Sequence, residues 1–416
     1  MRPGLSPWQG VALLFATAAA SYLCRVNVSV AGVLMMRDLG LSQVEMGRVF
    51  SAFLLGYALF QVPGGVLADR WGARRVLAGA ALWWVAGTVL LALVGWPPLA
   101  LGAGSASIAL LVVRFVIGVG EAPTFPAAAQ AVSRWIPPAQ RGRANGLVIA
   151  AIGVGSAVAP PLISTVMARW GWRVALLVSA LPALAVALAW LRLQEPGVTQ
   201  PAGFVAPATT QGVGRRLRSP SFVLLTISYT LQGYVGYIFV FWFYLYLVEV
   251  RHFDLLHGAL LGSLPWVLSI VSIPLGGILS DRLAQGPLGV NWGRRLVPLA
   301  GFGGSGVLLA LGAHAADAYV AAACLALSTA LVLSVEGPFW ASMMELAGPS
   351  SGVGGGVMNM GSNVGGLISP ALTPVLAAHI GWENALHVAA VVALLAGALW
   401  FGIAVRDRAG APAASP

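Results

Sequence analysis

Twelve stretches of roughly 20 or more apolar residues follow one another along this chain, each long enough to cross a bilayer core of roughly 30 Å as a helix. They lie near 10–36, 46–68, 75–95, 104–132, 143–167 and 172–193, then near 221–249, 257–280, 295–313, 317–346, 353–378 and 382–405. In hydrocarbon every backbone N–H and C=O must be satisfied within its own segment, so each stretch is expected to be helical. The expected fold class is an all-α polytopic membrane protein with 12 transmembrane helices. Composition agrees, with 58% hydrophobic and only 9% charged residues, where soluble domains carry about 25% charged. Only Arg2 precedes the first span, which is too long and too poor in cleavage features for a secretory signal peptide.

The spans divide six and six around "QEPGVTQPAGFVAPATTQGVGRRLRSP", residues 194–220, whose Pro, Gly, Thr and Gln content reads as a linker. The expected domains are an N-terminal six-helix bundle (1–193), a linker (194–220) and a C-terminal six-helix bundle (221–416). All 23 basic residues are arginine, and the net charge is +10. In a soluble protein that would suggest nucleic acid; here the arginines cluster in short loops, where they orient a membrane protein. Arg70, Arg74 and Arg75 follow span 2, and Arg134, Arg141 and Arg143 follow span 4. Arg215, Arg216 and Arg218 lie in the linker, Arg282, Arg294 and Arg295 follow span 8, and Arg406 and Arg408 end the chain. Both termini and the linker are therefore expected on the cytoplasmic side. Cys24 and Cys324 both fall in apolar segments, so neither a disulfide framework nor a metal cluster is indicated.

The two halves repeat. "GLVIAAIGVGSAVAPPLISTVMARWGWRVAL" (146–176) aligns without gaps on "GVMNMGSNVGGLISPALTPVLAAHIGWENAL" (356–386). Gly146 pairs with Gly356, Gly155 with Gly365, Pro160 with Pro370 and Trp172 with Trp382, each 210 residues apart. "GGVLADRWGARR" (64–75) is echoed in "GGILSDR…GRR" (276–295), with Asp69 matching Asp281. Such an internal duplication builds transporters of two pseudo-symmetric bundles with a site between the halves.

The loop itself carries more. Gly64 and Gly65 let helices approach closely, Asp69 can accept charge-assisted hydrogen bonds, and the arginines can bridge to adjacent helices; the plainer reading is a solvated orienting loop. The spacing G-x-L-x-D-R-x-G-x-R-R, with Gly65, Asp69, Arg70, Gly72, Arg74 and Arg75, resembles the signature loop of the major facilitator superfamily, and Asp281 and Arg282 occupy its echo. Three further stretches are similar to one branch of that superfamily, the anion:cation symporters, which include bacterial sugar-acid transporters, sialin and the vesicular glutamate transporters. They are "SYLCRVNVSVAG" (21–32), "RFVIGVGEAPTFPAAAQAVSRWIPPAQRGRANG" (114–146) and "GVMNMGSNVGGLISP" (356–370). The resemblance covers essentially the whole chain and implies the major facilitator fold.

Four charges lie deep in spans: Arg25, Arg114, Glu121 and Glu336. An intramembrane arginine costs at least roughly 2.5–3.5 kcal/mol, and such groups usually face a bundle interior or a water-filled cavity. Each either serves transport or pairs structurally with a neighbour. Arg25 shares a helix face with Tyr22 and Ser29, has no acid beside it on its own helix, and presents a rigid fork suited to a carboxylate. The resemblance implies that Arg25 binds the substrate anion, with Tyr22 and Tyr57 near the site; for either tyrosine alone, packing explains the residue equally well. Arg114 and Glu121 stand two turns apart on nearly one face, spaced for bridging by water or side chains. Burial raises a carboxyl pKa and nearby arginines lower it, so Glu121 is the candidate proton carrier, and the resemblance implies that it couples proton and anion movement.

One departure matters. Bacterial sugar-acid members typically carry an aspartate immediately before the first-helix arginine, where this chain has Cys24; sialin-like members also lack it. Glu336, one turn before Trp340 in "SVEGPFWASM", is either a partial replacement for that acid or a hydrogen-bonded structural glutamate. By resemblance Trp340 and Asn359 contact substrate, and Asn363 on nearly the same face offers further amide hydrogen bonds. The aromatic seventh span "YVGYIFVFWFYLYLVEV" (234–250) reads mainly as packing. The fifth span, "VIAAIGVGSAVAPPL" (148–162), is poor in polar groups, which leaves room for a carboxylate simpler than a sugar acid.

The expected function is secondary active transport: proton-coupled symport of a small organic anion, a sugar acid or other carboxylate, by alternating access. The alternative is a major facilitator exporter or exchanger of a drug-like or other small metabolite, against which two central arginines argue. An enzyme is not expected, since there is no nucleotide loop, no His/Cys metal spacing and no nucleophile–base pair. The expected partners are the anion, protons and the lipid bilayer, with no nucleic acid, no cofactor and no metal. The protein is expected to work as a monomer in a bacterial cytoplasmic (inner) membrane.

Overall fold

The computed structural model describes residues 5–96, 103–137, 140–196, 213–348 and 351–405. Arg406, Arg408 and most of the linker (197–212) lie outside the described residues, as does the side chain of Asp69.

Helices account for nearly all of the described chain. α1 (Pro7–Leu39) and α2 (Gln43–Trp71) each begin on a capping box, Ser6 with Gln9 and Ser42 with Glu45, which satisfies two otherwise unpaired donors at each start. Glu45 is thus part of a helix cap. Gly72 separates α2 from α3 (Ala73–Leu93) at φ 80°. α4 (Ala103–Glu121) and α5 (Thr124–Trp135) form one candidate span interrupted at Ala122 and Pro123. α6 (Arg141–Ser179) and α7 (Leu181–Arg192) complete the N-terminal half, and a short α8 (Val213–Leu217) leads into α9 (Pro220–Phe241).

A one-turn α10 (Phe243–Leu245) and a π-helical turn (Tyr246–Val250) continue α9 into the aromatic segment. α11 (Leu255–Gln285), α12 (Gly289–His314), α13 (Ala318–Ser334), α14 (Glu336–Ala347) and α15 (Ser351–Ala398) follow, closing on a 3₁₀ turn at Leu399–Gly402.

Ten described stretches are long and apolar enough to cross a membrane. Two of them, Arg143–Arg192 and Val353–Gly402, run 50 residues each, about 75 Å at 1.5 Å per residue and more than twice a hydrocarbon core. Each breaks at a glycine, Gly171 (φ 79°, ψ 168°) and Gly381 (φ 84°, ψ 159°). Both breaks fall in gaps between predicted spans, 210 residues apart, so each long stretch is two passes and the total is twelve.

The contacts divide the chain into two units: Met1–Phe204 with Ile238–Val267 and Leu367–His379, and Val205–Tyr237 with Leu268–Gly366 and Ile380–Pro416. In the first, a Cβ on Gly155 of α6 would stand 2.2 Å from the Ala19 carbonyl oxygen of α1. In the second, a Cβ on Gly365 of α15 would stand 1.9 Å from the Thr230 oxygen of α9. The duplicated glycine thus serves one purpose twice, bringing two backbones together, which membrane helices do where side chains are smallest. Large apolar residues remain on the outside, among them Val62 at 77% exposure, as expected of a surface solvated by lipid. In the first unit Phe241 stacks on Phe50 with ring centroids 4.9 Å apart, and Trp242 meets the same ring edge-on at 5.4 Å. The aromatic segment there is packing.

Candidate functional site

The first unit holds a polar centre built by α1, α2 and α4. α1 is buried along its middle on almost every side, so Ser21, Cys24, Arg25, Asn27 and Ser29 are all inside. Asn27 and Ser29 have local partners, the Ser179 hydroxyl at 2.9 Å and the Val26 carbonyl at 2.6 Å. Arg25, 1% exposed, reaches across to Glu121, also 1% exposed. Its Nη2 lies 2.7 Å and its Nε 2.9 Å from Glu121 Oε1, which also accepts from the Ser21 hydroxyl at 2.8 Å. Arg25 Nη1 donates to the Tyr22 hydroxyl at 3.2 Å. The guanidinium lies 4.5 Å from the Tyr22 ring centroid, 4.7 Å from that of Tyr57 and 5.1 Å from that of Phe53, an aromatic cage suited to a cation.

The acid that Arg25 lacks on its own helix is therefore supplied by α4. Glu121 is the last residue of α4, where Pro123 has no N–H to continue the helical ladder. Its Oε1 turns toward α1, where it pairs directly with Arg25. Arg114 is fully buried. Its guanidinium stacks over Phe53 at 4.5 Å, and none of its three nitrogens meets a hydrogen-bond acceptor among the described residues. Arg25, Arg114 and Glu121 interact electrostatically, so with the carboxylate ionised the buried trio carries one net positive charge.

The second unit has its own polar centre. Glu336 is the first residue of α14, just after the break at Val335. Its Oε2 accepts from the Tyr229 hydroxyl and its Oε1 from the Gln232 amide, both at 2.9 Å. Trp340 stands one turn on, on the same face of α14. The Trp340 ring lies against Gly355 of α15, one turn before half-buried Asn359; Asn363, a further turn along, is buried. Tyr229 and Gln232 carry no expectation from the sequence. The one signal for them is a glutamine in an otherwise apolar span, three residues from a tyrosine and so on its face.

The breaks that hold the two glutamates share a local pattern, Glu121-Ala122-Pro123 and Glu336-Gly337-Pro338. They fall in the fourth and tenth spans, which the duplication makes counterparts.

In the loop motif, Gly64 makes the close approach: its Cβ would stand 2.8 Å from Pro123 Cα. Gly65, expected to share that role, has ordinary room, with Pro126 at 3.6 Å. Arg74 donates to the carbonyl oxygens of Trp190 (2.7 Å) and Leu191 (2.8 Å) at the end of α7, while Glu195 accepts its backbone N–H at 2.7 Å. In the echo, Arg294 bridges Asp281 at 2.5 Å and Glu345 at 2.8 Å, and Arg295 donates to the Ile403 carbonyl at 2.8 Å. Each half therefore puts an arginine of this loop on the carbonyl end of its last helix, where positive charge is stabilising. Arg70, Arg75 and Arg282 are exposed.

The sequence profile described as Major Facilitator Superfamily matches residues 13–354. A probable sulfoacetate transporter of Cupriavidus necator is 33% identical over 381 residues, covering 87% of this chain and 85% of that protein. The hexuronate transporter of Bacillus subtilis is 27% identical, over 89% of this chain and 88% of its own length. A probable galactarate/D-glucarate transporter of Escherichia coli is 29% identical, over 93% and 90%. Among solved structures, a bacterial homolog of the human lysosomal transporter Spinster superposes with a TM-score of 0.80 at 19% identity, covering 95% of this chain and 96% of that one. A D-xylose–proton symporter gives 0.74 at 17% identity, over 94% and 97%. This chain belongs to the Major Facilitator Superfamily and is an integral membrane transport protein, not an enzyme.

Proposed function

We propose that the protein carries a small organic anion together with a proton, by alternating access. One observation carries this reading: the buried Arg25–Glu121 pair stands beside a second buried arginine, Arg114, whose nitrogens meet no hydrogen-bond acceptor among the described residues. A buried net positive charge is costly, and an anionic substrate offsets it. While Glu121 is ionised it occupies the Arg25 fork. Protonation removes its charge and frees Nε and Nη2 to grip a carboxylate or sulfonate in the two-pronged manner arginine favours, with Arg114 as a second donor. Anion and proton therefore load together, the requirement of symport.

The relatives named for sulfoacetate, hexuronate and galactarate/D-glucarate support an acid as the substrate. The polar-poor segment 148–162 favours a short acid over a heavily hydroxylated one. Reconstituted protein with an imposed pH gradient tests this against a panel of carboxylates, sulfoacetate included. Gradient-driven, protonophore-sensitive uptake of short acids is expected. Transport of uncharged or drug-like compounds without anion uptake supports the exporter alternative and sinks the symport reading.

Glu336 is proposed as a second proton site, standing in for the acid that Cys24 replaces. Its support is the Glu-x-Pro break it shares with Glu121 and its partners, which include no basic group among the described ion pairs. The functional halves are taken as 1–193 and 221–416, joined by 194–220. The cytoplasmic termini and linker, the bacterial inner membrane and a working monomer belong to the same proposal. Tyr22, Tyr57, Trp340, Asn359 and Asn363 are assigned to substrate contact, and the loop residues Gly65, Asp69, Arg70, Gly72, Arg74, Arg75, Asp281 and Arg282 to gating.

A further inference from the structure

A second cluster of ligating side chains lies in the second unit, at the far end of α12 from Arg294 and Arg295. It consists of His314, Glu383 and His387. His314 is the last residue of α12, while Glu383 and His387 follow the Gly381 break one turn apart and so share a helix face.

The hydrogen positions follow from the partners. His387 Nδ1 lies 2.7 Å from the Glu383 main-chain oxygen, which only accepts. That nitrogen therefore carries the proton of a neutral ring, and Nε2 keeps its lone pair. This Nε2 lies 3.0 Å from His314 Nε2. On the other side of the His314 ring, Nδ1 lies 2.5 Å from Glu383 Oε1, a second acceptor. A neutral His314 thus has one N–H for two acceptors. With that proton turned to the carboxylate, two Nε2 lone pairs face each other across 3.0 Å, and a cation between them removes the conflict.

We propose that His314 Nε2 and His387 Nε2 form a binding site for a divalent transition-metal ion of the zinc class. Both outer nitrogens are anchored, one by a carboxylate and one by a main-chain carbonyl, which is how metal-ligating histidines are usually oriented. At a Zn–N distance of about 2.05 Å, tetrahedral geometry sets the two nitrogens about 3.3 Å apart, so the rings need to part by about 0.3 Å. Imidazole nitrogens suit zinc, copper or nickel and do not suit magnesium or calcium. His314 and Glu383 are exposed, which leaves the site open to an arriving ion, and water completes its coordination. The bound ion ties the end of α12 to the helix that follows Gly381.

The test uses the full-length protein, purified without a polyhistidine tag, stripped with chelator, and titrated with zinc chloride against a competing chromophoric chelator. One zinc ion per chain at micromolar affinity is expected, with no response to magnesium. Affinity should fall at least tenfold in His314→Gln and in His387→Gln and roughly tenfold in Glu383→Gln, and stay unchanged in a His252→Gln/His257→Gln variant. Zinc should also raise the thermal midpoint of the wild-type protein, and of no variant lacking both His314 and His387. Absence of saturable zinc binding in the wild type, or binding that survives the double His314→Gln/His387→Gln replacement in folded protein, overturns the proposal.

Discussion

Arg25 and Glu121 neutralise each other in a place where either alone is expensive. Removing one partner of a buried ion pair typically costs about 3–5 kcal/mol, because the other charge is left without compensation. The two truncations should nevertheless differ in kind. Glu121→Gln keeps an acceptor for Ser21 and Arg25 and mimics the protonated acid. It should retain substrate exchange across a membrane while losing accumulation driven by a pH gradient, as counterflow and gradient-driven uptake measured side by side would reveal. Arg25→Ala removes the charged partner of Glu121 and, on the proposed reading, the fork that grips the substrate. Counterflow should fall at least 100-fold, and a variant that still exchanges the anion at wild-type rates would refute the assignment. Arg25 was conspicuous in the sequence because an arginine in an apolar span is rare. Its partner was not, since at a sequence separation of 96 no local rule says which acid meets which base. The same limit applies to Arg114, whose stacking over Phe53 of α2 no spacing on α4 foretells.

The duplicated helices show how a small residue sets an element's position. Gly155 and Gly365 stand at equivalent places, each with a neighbouring carbonyl oxygen where a Cβ would go. Because the obstacle in both cases is main chain, a side chain there forces α6 from α1, or α15 from α9. Gly365→Val should lower stability by about 1–3 kcal/mol, the usual cost of overpacking. It should also displace α9, which supplies Tyr229 and Gln232 to Glu336. Gly356→Ala on the same helix, where nothing stands within 4 Å of the added carbon, should be nearly neutral. Fluorescence-detected gel filtration after heating separates the two, and equal midpoints would contradict the packing account. Helix ends at Gly171 and Gly381 were legible, since a glycine between two apolar runs needs no tertiary information. Breaks inside the fourth and tenth spans were less so, because each run stays apolar through the interruption and only Pro123 or Pro338 marks it.

For the molecule as a whole, the proposed function makes the two polar centres the determinants of what is moved and with how many protons. If Glu121 and Glu336 each carry one, replacing Glu336 with glutamine should lower the proton:anion ratio by one while transport continues. The reversal potential of uptake, measured at several pH gradients, reads that ratio directly. An unchanged ratio with intact transport would return Glu336 to a structural hydrogen-bonded role. The twelve passes, their division into two repeats and the identity of the buried charges were all determined by sequence alone. The reason is physical: a hydrocarbon core accepts only long apolar helices, so any charge within them stands out against its surroundings. Tertiary packing alone decided the pairings. Glu121 answers Arg25, Tyr229 and Gln232 hold Glu336, and His314 meets His387 across 73 residues, because which side chains touch depends on how helices approach one another and not on the propensities of either segment.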